Sequence, residues 1–555
     1  ELSSVCCTFA QSSAKLNEIV CFTTDGFLVD FLRRFDIYED FESKAIYKLD
    51  YFDNFIYDWR SNRTNMISVI LLVTAVVSYL VYKRLRDPLN SIPGPWPLPF
   101  LGNALMIDRT GPHHTILAIA RKYGDICKVK ILDKTLVVLS SKEFIHEALV
   151  TKSVDFAGRP TSFRIRMVFE GKDIGLQDFG APYVQLKKTA HKGLKQYGDG
   201  LGSIVELSLK EINYCKDVFR SFKGEPFDPN DMIYRSILNI ILIMLLGERF
   251  ERGDPWFESV VKMDTNIGEL LSGSNGVELD QFPWLRFLGN KNYKRLLKFL
   301  ESRDDFFSHW INKHRNTLNA NEARDFMDSL LIGQQATANS ENPITDDNIK
   351  NSCTNILMAG IRTTYATMMA FLFAMVSHEE VQAKLQEEID RVVGDRQVAL
   401  EDKDNMPYMQ ATLREVLRYA TVDPLGVPHR TTKETTIGGH ILPKGTNVWT
   451  NLWAMHHDER YFDDPWHFKP ERFLDCNGKY TAMDDRMKPF GAGRRACLGQ
   501  VLAKTRLFLF ITTLLQHFKF HPPSSGIPIP DARQFPMSGP TLRPPPFNLI
   551  AVDRR

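Results

Sequence analysis

One stretch past the middle of the chain sets the scale of whatever it folds into. Thr345-Asp346-Asp347 is a helix-capping sequence, and no proline interrupts the residues that follow until about Ser377. At helical rise that stretch spans roughly 50 Å, a length that only a helix crossing a whole domain needs. Gly360 stands at its middle, within Ala359-Gly360-Ile361-Arg362-Thr363-Thr364. A mid-helix glycine costs about 1 kcal/mol relative to alanine, so a packing or ligand reason for it is expected.

Other segments read as helices around this one. Asp228-Pro229 is a cap followed by proline at the first helical position. The apolar run after it, Ile237 to Leu246, is only ten residues long, which suits a buried core helix and not a membrane span. Glu379 to Val393 is charged and amphipathic and ends at Gly394. Pro407 opens the next helix, in which Glu415 and Arg418 lie three apart on one face. Ile126 to Leu139 alternates as a strand pair turning at Asp133-Lys134. Residues 159–180 read as a long loop with apolar insertions at Phe163, Ile165, Val168 and Phe169. His113 and His114 are adjacent, so on a helix they point apart; they are read as surface or membrane-facing residues, not as a metal pair. The fold class is mainly α with a small β region.

The balance of charge narrows the partners. With 69 basic and 67 acidic residues the formal charge is +2, which argues against a nucleic-acid binder. The eight cysteines form no C-x-x-C pair and no cluster with histidine, so neither a disulfide framework nor a zinc site is indicated. Residues 1–65 contain no methionine and no sustained periodicity, and include the pair Cys6-Cys7. Translation is expected to begin at Met66, with residues 1–65 an extension that is either not translated or lumenal; Asn62-Arg63-Thr64 would be a glycosylation sequon there. Thr64 to Tyr82 is uncharged and reaches roughly 28 Å as a helix, about one hydrocarbon core. Residues 66–82 are therefore read as a transmembrane anchor. Lys83, Arg84 and Arg86 directly follow and keep the bulk of the chain in the cytosol. A basic and proline-rich linker occupies 83–99, with four prolines between Ile92 and Pro99, and the folded domain is placed at 100–555.

The chemistry is concentrated in Phe490-Gly491-Ala492-Gly493-Arg494-Arg495-Ala496-Cys497-Leu498-Gly499. It sets one cysteine in a glycine-rich loop ahead of an apolar helical pattern, with two arginines upstream. A thiolate persists where positive charge or a helix N-terminus faces it. Such a thiolate is the axial ligand of a haem iron built to cleave dioxygen. Gly491, Gly493 and Ala496 also satisfy the dinucleotide pattern G-x-G-x-x-G/A. No strand precedes them, since Arg486-Met487-Lys488-Pro489 is charged and ends in proline, and no acid follows at the required distance.

F-x-x-G-x-R-x-C-x-G, with its fixed positions at Phe490, Gly493, Arg495, Cys497 and Gly499, resembles the cysteine loop of the cytochrome P450 superfamily. The resemblance covers roughly residues 85 to 555. It is to the animal microsomal type, the branch of drug-metabolising enzymes, aryl hydrocarbon hydroxylases and steroid 17- and 21-hydroxylases. It implies a haem-thiolate fold with haem b held through Cys497 as iron ligand. Ala359 to Thr364 match A/G-G-x-D/E-T-T/S, so Gly360 and Thr363 are implied to handle oxygen; Arg362 stands where an acid is usual. Arginine releases no proton near neutral pH, so it cannot be the relay acid; facing solvent or a salt-bridge partner is the other reading of position 362. Tyr183 and Lys187 replace the W-x-x-x-R that holds a haem propionate. His429, with Arg430 as substitute, and Arg495 are implied to bind the propionates as well. Glu415, Arg418 and Arg472, the last within Pro470-Glu471-Arg472-Phe473, resemble a buried Glu-Arg-Arg network. Ala359, Thr364, Val422, Val427 and Met537 are implied to line the substrate pocket. His456, His457 and His467 fall in the coil ahead of the cysteine loop and read as structural.

The implied reaction inserts one atom of dioxygen into a lipophilic molecule, such as a steroid, a fatty acid or a xenobiotic. Electrons would come from NADPH through NADPH–cytochrome P450 reductase, with cytochrome b5 as a further donor, docking near Lys488, Arg494 and Lys504. The anchor would place the enzyme on the endoplasmic reticulum, in contact with membrane lipid. Two alternatives remain at this point: a haem-thiolate isomerase or dehydratase acting on peroxides without a reductase, motivated by Arg362, and a non-catalytic haem binder, for which no signalling domain is in sight.

Overall fold

A computed structural model describes residues 63–108, 110–198, 202–271, 275–481, 485–528 and 530–555. Cys6-Cys7, Asn62 and the rest of the N-terminal extension up to that residue lie outside the described residues. The chain divides into two units, Glu1–Asp87 and Pro88–Arg555.

The described part of the first unit is helix α1 (Arg63–Leu85). Ile70, Leu71, Leu72, Val73, Val76 and Val77 are all exposed on it, so it is apolar all round and not along one stripe. A helix of that kind is at home only in apolar surroundings. Among the described residues one helix is long and apolar enough to cross a membrane, Asp346–Ser377, but 61% of its apolar window is buried inside the protein. The stretch Ile70–Tyr79 of α1 is the shorter apolar segment.

The second unit is mostly helical: α2 (Pro112–Tyr123), α3 (Phe163–Phe169), α4 (Ala181–Gly198), α5 (Gly202–Ser221), α6 (Asn230–Leu246), α7 (Pro255–Leu271), α8 (Lys291–Asn316), α9 (Phe326–Thr337), α10 (Asp346–Ser377), α11 (Glu379–Val392), α12 (Pro407–Ala420) and α13 (Gln500–His517), with shorter turns between them. The strands are β1 (Ile126–Ile131), β2 (Lys134–Leu139), β3 (His429–Arg430), β4 (Thr435–Ile437), β5 (His440–Leu442), β6 (Asn447–Thr450), β7 (Phe518–His521), β8 (Met537–Ser538), β9 (Thr541–Leu542) and β10 (Ile550–Asp553). One sheet runs β1-β2-β6-β3; the other strands pair as β10-β7, β4-β5 and β8-β9. β1 and β2 are antiparallel and turn where Ile131 faces Lys134, whereas β2 and β6 are parallel.

α10 runs the expected course. Thr345 and Asn348 exchange side-chain and backbone hydrogen bonds in a capping box at its start. Its first half, Ile349 to Ile361, belongs to one apolar core with the helices α7, α8 and α9. Its second half, Tyr365 to Val376, belongs to another with α11, α12 and α13. α6 contributes to both. The motif Ala359–Thr364 therefore sits at the seam between two cores.

Several local readings change. Residues 159–180 are not all loop: α3 forms there, capped by the Ser162 side chain, which accepts from Ile165 N, and ended by Glu170 at φ +53°. Seven residues are too short to show a helical period. Asp228 lies two residues before the helix start, with Pro229 at the cap and not at the first helical position, but it still accepts from Asn230 N at 2.9 Å. The proline-rich stretch packs on β1: Lys128 N donates to Pro93 O at 2.8 Å, and a Cβ on Gly94 would overlap the Lys128 carbonyl.

His113 departs furthest from expectation. It is fully buried, edge-on to Trp453 with ring centroids 4.9 Å apart, and neither ring nitrogen has a partner. α2 begins at Pro112 and turns this ring inward. Burial, helped by the neighbouring charge of His114, pushes its pKa down to about 3. Protonation is thus favoured in the unfolded chain from 6.5 downward but resisted in the folded one. Stability due to this group is full above pH 6.5 and falls by about 1.4 kcal/mol per pH unit below it. Denaturant titrations at pH 7 and pH 5 should show that loss in the wild type and a shallower one in His113→Phe; equal pH dependence would remove His113 as its cause.

Candidate active site

The cysteine loop is closed by one backbone bond, Cys497 N to Phe490 O at 2.9 Å. Gly493 cannot be another residue: its φ is +66°, and a Cβ there would overlap the carbonyl oxygen of Leu149. Cys497 is exposed, yet crowding by surrounding protein is the main force that raises its thiol pKa. Both hold only if the sulfur opens into a hollow enclosed by protein. The Gly499 N–H opposes the rise and Asp423 adds to it. Arg494 and Arg495 do not act on the sulfur, contrary to the sequence reading. The turn Gly493–Arg495 sends Arg495 away, with Nε on Ala157 O and Nη2 on Gln177 O, each at 2.7 Å. The free thiol therefore keeps its proton, and metal binding must displace it.

Beside the loop, three cations gather without a direct ion pair, and the carboxylates of Asp173, Asp178 and Asp423 act on them only at longer range. The Arg495 guanidinium lies 3.7 Å from the centre of the Tyr183 ring, and its buried Nη1 has no partner. Lys187, one turn on from Tyr183 along α4, donates to the Arg494 carbonyl. Arg159 is buried, and its guanidinium donates to the carbonyls of Gly175 at 3.1 Å, Val427 at 2.9 Å and Pro428 at 2.7 Å. Among the described residues no carboxylate forms an ion pair with Arg159, Lys187 or Arg495. Burial and then the Arg495 charge push Arg159 down to about 9, and Lys187 is lowered by burial and the same neighbours. One buried and two half-buried cations with no ion-pair partner leave room for a further anion to balance them. The two propionates of a haem fit that role, and a thiol opening into the same hollow fits the iron.

His429 is buried and its Nδ1 donates to Phe156 O at 2.8 Å. Burial, then the charge of Arg159, pushes its pKa to about 3, so the ring is neutral and Nε2 is an acceptor. It gives a second hydrogen bond only when a carboxylate arrives and draws a proton onto it. Arg430 is engaged by Asp178. Phe490 carries Lys504 over its ring, with the ammonium 5.3 Å from the centre. Arg159 escaped the sequence reading; the available signal was a lone arginine directly after Phe156-Ala157-Gly158 and before Pro160.

The motif that the resemblance assigns to oxygen lies on α10. Ala359 is exposed at the helix's mid-length, although apolar cores close on both sides of it. Thr363 lies one turn on, its hydroxyl donating to Ala359 O at 2.8 Å. Gly360 and Thr364 face α6: a Cβ on Gly360 would meet Ile241 Cδ1 at 2.8 Å, and Thr364 lines a crevice with Ile237, Ile241 and Arg506. Close helix packing thus accounts for the glycine. Val427 is 44% exposed, Met537 is half-buried, and Val422 is buried in the core.

Arg362 faces α7. Its guanidinium pairs with Asp264, Nη2 to Oδ2 at 3.1 Å and Nε to Oδ1 at 3.2 Å, and Tyr234 donates to the same carboxylate at 2.9 Å. Gly268 makes the slot, since a Cβ there would overlap the guanidinium. Of the readings of position 362, the salt-bridge partner is the one the structure contains.

Below the loop, Glu415 and Arg418 are fully buried and joined by two bonds of 2.7 Å. Arg472 Nε meets Glu415 at 3.3 Å, and Lys469 N donates to the same oxygen at 2.9 Å. Arg418 also donates to His456 O at 3.0 Å. The His456 ring spans from Thr421 Oγ1 at 3.1 Å to Lys488 N at 3.0 Å, two residues before Phe490.

The family model described as "Cytochrome P450" matches residues 92–551. Human "Cytochrome P450 2J2" is 33% identical over 459 residues, covering 82% of this chain and 91% of its own. "Cytochrome P450 2K4" of Oncorhynchus mykiss is 36% identical over 467 residues, covering 83% and 92%. "Steroid 17-alpha-hydroxylase/17,20 lyase" of Ictalurus punctatus is 31% identical over 496 residues, covering 88% and 94%. A solved structure described as "Zebra fish cytochrome P450 another structure with Progesterone" superposes with a TM-score of 0.72 at 28% identity, covering 80% of this chain and 99% of its own.

Two outcomes test this geometry. Gly493→Ala should lower stability by about 3 kcal/mol or more and abolish haem incorporation, because both the dihedral and the Leu149 carbonyl oppose it. Unimpaired haem content would contradict the observed loop. Arg362→Glu sets two carboxylates together and should cost about 2–4 kcal/mol, most of it recovered when Asp264→Arg is added. Strict additivity of the two changes would mean that the pair does not interact.

Proposed function

Because the chain belongs to the cytochrome P450 family and is therefore a haem-thiolate monooxygenase, we propose that Cys497 is its iron ligand and that the hollow facing Ala359, Thr363 and Val427 receives the substrate. The observation that carries this reading is a cysteine sulfur enclosed yet accessible, in a loop whose neighbouring cations Arg159, Arg495 and Lys187 have no ion-pair partner among the described residues. The bound haem supplies insertion of one oxygen atom into a lipophilic molecule, with electrons from NADPH delivered by a redox partner. The chain's own residues do the rest. Arg159, Arg495, Lys187 and Tyr183 would hold the propionate end of the haem, with the neutral ring of His429 beside them. The Gly499 N–H bonds to the sulfur and withdraws electron density from it. Phe490 and Gly493 keep the loop in shape.

On the opposite wall Ala359 leaves space and the Thr363 hydroxyl turns between its own helix carbonyl and the reacting end of the hollow. Gly360 lets α10 approach α6. Arg362, tied to Asp264, neither donates a proton nor approaches the hollow, so protons reach Thr363 from water. That pairing also removes the motive for a peroxide isomerase. Glu415, Arg418 and Arg472 have a structural role beneath the loop. The substrate class is a steroid, fatty acid or xenobiotic; the similarity to a steroid hydroxylase and to the drug-type relatives supports that range without choosing within it.

The redox partners are NADPH–cytochrome P450 reductase and cytochrome b5. Lys488, Arg494 and Lys504 offer the basic face for them, although Lys488 is paired with Asp485 at 2.6 Å and Lys504 lines a cleft of about 560 Å³ with Lys403 and Arg414. Residues 66–82 anchor the protein in the endoplasmic reticulum membrane, 83–99 follow as linker, and the domain 100–555 faces the cytosol. An extension at 1–65 would be lumenal or not translated.

The reduced carbon-monoxide spectrum tests the core of this reading: the red-shifted Soret band of thiolate ligation is expected in the wild type and absent in Cys497→Ser. Arg159→Ala should release haem about tenfold more readily, a loss of about 1.4 kcal/mol, with the band position unchanged. A wild type without that band would overturn the assignment of Cys497.

A further inference from the structure

The cleft of about 560 Å³ beside the cysteine loop is a hollow of its own, since Cys497 takes no part in its wall. Four pieces of the fold enclose it: the turn Leu400–Asn405, one face of α12, the coil from Tyr480 to Gly491, and the first turns of α13. Its volume falls within the range of roughly 300–1,000 Å³ typical of sites that take small organic molecules.

The wall is strongly positive. Lys403, Arg414, Lys488 and Lys504 are half-buried in it, and Asp485 is the carboxylate among its described residues. Asp485 is paired with Lys488 at 2.6 Å, so the other three cations remain in excess. Among the described residues neither Lys403 nor Lys504 forms an ion pair. The three crowd one another: burial, then the charges of Arg414 and Lys403, holds the Lys504 ammonium below its ordinary pKa. Like charges focused in a concave wall concentrate anions there. The rest of the wall is apolar or aromatic, with Leu413, Leu417, Met487, Tyr480 and Phe490. Two of the cations sit against its rings. The Lys504 ammonium is 5.3 Å from the centre of Phe490, and Arg414 Nη1 donates to Tyr480 Oη at 3.5 Å.

A ligand that satisfies both halves of this wall has a flat apolar body and a compact, multiply charged head. A carboxylate brings one charge and leaves most of the excess unbalanced. A phosphate monoester carries close to two negative charges at neutral pH and three acceptor oxygens, which suit ammonium and guanidinium donors together. We propose that this cleft binds a small aromatic phosphate, its head held by Lys403, Arg414 and Lys504 and its ring packed on Leu413, Tyr480 and Phe490. The site stands on its own geometry. Its consequence rests on the reading of Lys488 and Lys504 as part of the redox-partner face: an occupant covers that face and slows electron delivery.

Equilibrium dialysis on the full-length holoenzyme, at fixed ionic strength, measures the binding of naphthyl phosphate, adenosine monophosphate and inorganic phosphate. At least one of the two aromatic phosphates is expected to bind about tenfold or more tighter than inorganic phosphate, and which of them does so separates a nucleotide from a simpler aryl ester. Combining Lys403→Gln with Lys504→Gln should weaken that binding about tenfold or more, whereas Lys504→Arg keeps the charge and should stay within about twofold. Lys298→Gln removes the same charge from an exposed position on α8, which takes no part in the cleft, and should change nothing. Each variant is checked by its reduced carbon-monoxide spectrum. Aromatic phosphates that bind no tighter than inorganic phosphate overturn the proposal on the wild type alone. So does equal weakening by Lys298→Gln, which would reduce the effect to general surface charge, and so does undiminished binding in the double variant, which would put the probe elsewhere. Reduction by NADPH–cytochrome P450 reductase should slow as the probe saturates. Binding that leaves this rate unchanged supports the site and refutes instead the docking reading of Lys488 and Lys504.

Discussion

The buried pair of Glu415 and Arg418 is the interaction on which the rest of the domain depends. Two charges with no exposure are tolerable only when every remaining lone pair and proton is satisfied. Here Arg472, Lys469 N and the carbonyls of His456 and His467 satisfy them. These partners come from the coil that leads into the cysteine loop, so the pair fixes that coil while stabilising itself. The His456 ring then carries the constraint to Lys488 N, and from there it is two residues to Phe490, whose carbonyl holds Cys497 N. The position of the sulfur is thus set by a chain of hydrogen bonds that begins on α12.

The opposite side of the loop is arranged on another basis. Arg159, Arg495 and Lys187 repel one another and rest on carbonyls and an aromatic ring. The protein therefore offers a site that is electrostatically incomplete until a dianion enters. Folding and cofactor loading are coupled there, whereas the Glu415 network is complete by itself.

What the sequence made legible follows from range. The capping box of α10, the β1–β2 turn, the buried run of α6 and the cysteine loop are all local patterns, each read from residues within a few positions of one another. The losses are long-range. Nothing near Arg362 announces that its partner is Asp264, 98 residues earlier, or that Gly268 makes room for it. His113 looked like a surface residue because its burial depends on Trp453, some 340 residues away. Arg159 has no local signal because a single charge in a loop has no period, and only the folded chain brings it to the carbonyls of Val427 and Pro428. The arginines of the cysteine loop were read as guards of the thiolate from adjacency alone, and the turn at Gly493 sends Arg495 elsewhere.

α10 is one rigid body shared by two apolar cores that divide between Ile361 and Tyr365. The half with α11, α12 and α13 carries the Glu415 network and the helix behind the cysteine. The half with α7, α8 and α9 is built from different side chains. Substitutions in the second core that spare α6, Leu498 and Leu502, which tie it to the cysteine side, therefore leave the packing around the Glu415 network unchanged. A fold partitioned this way is evolvable in its substrates and conservative in its chemistry, and the boundary between those two behaviours passes through a single helical turn.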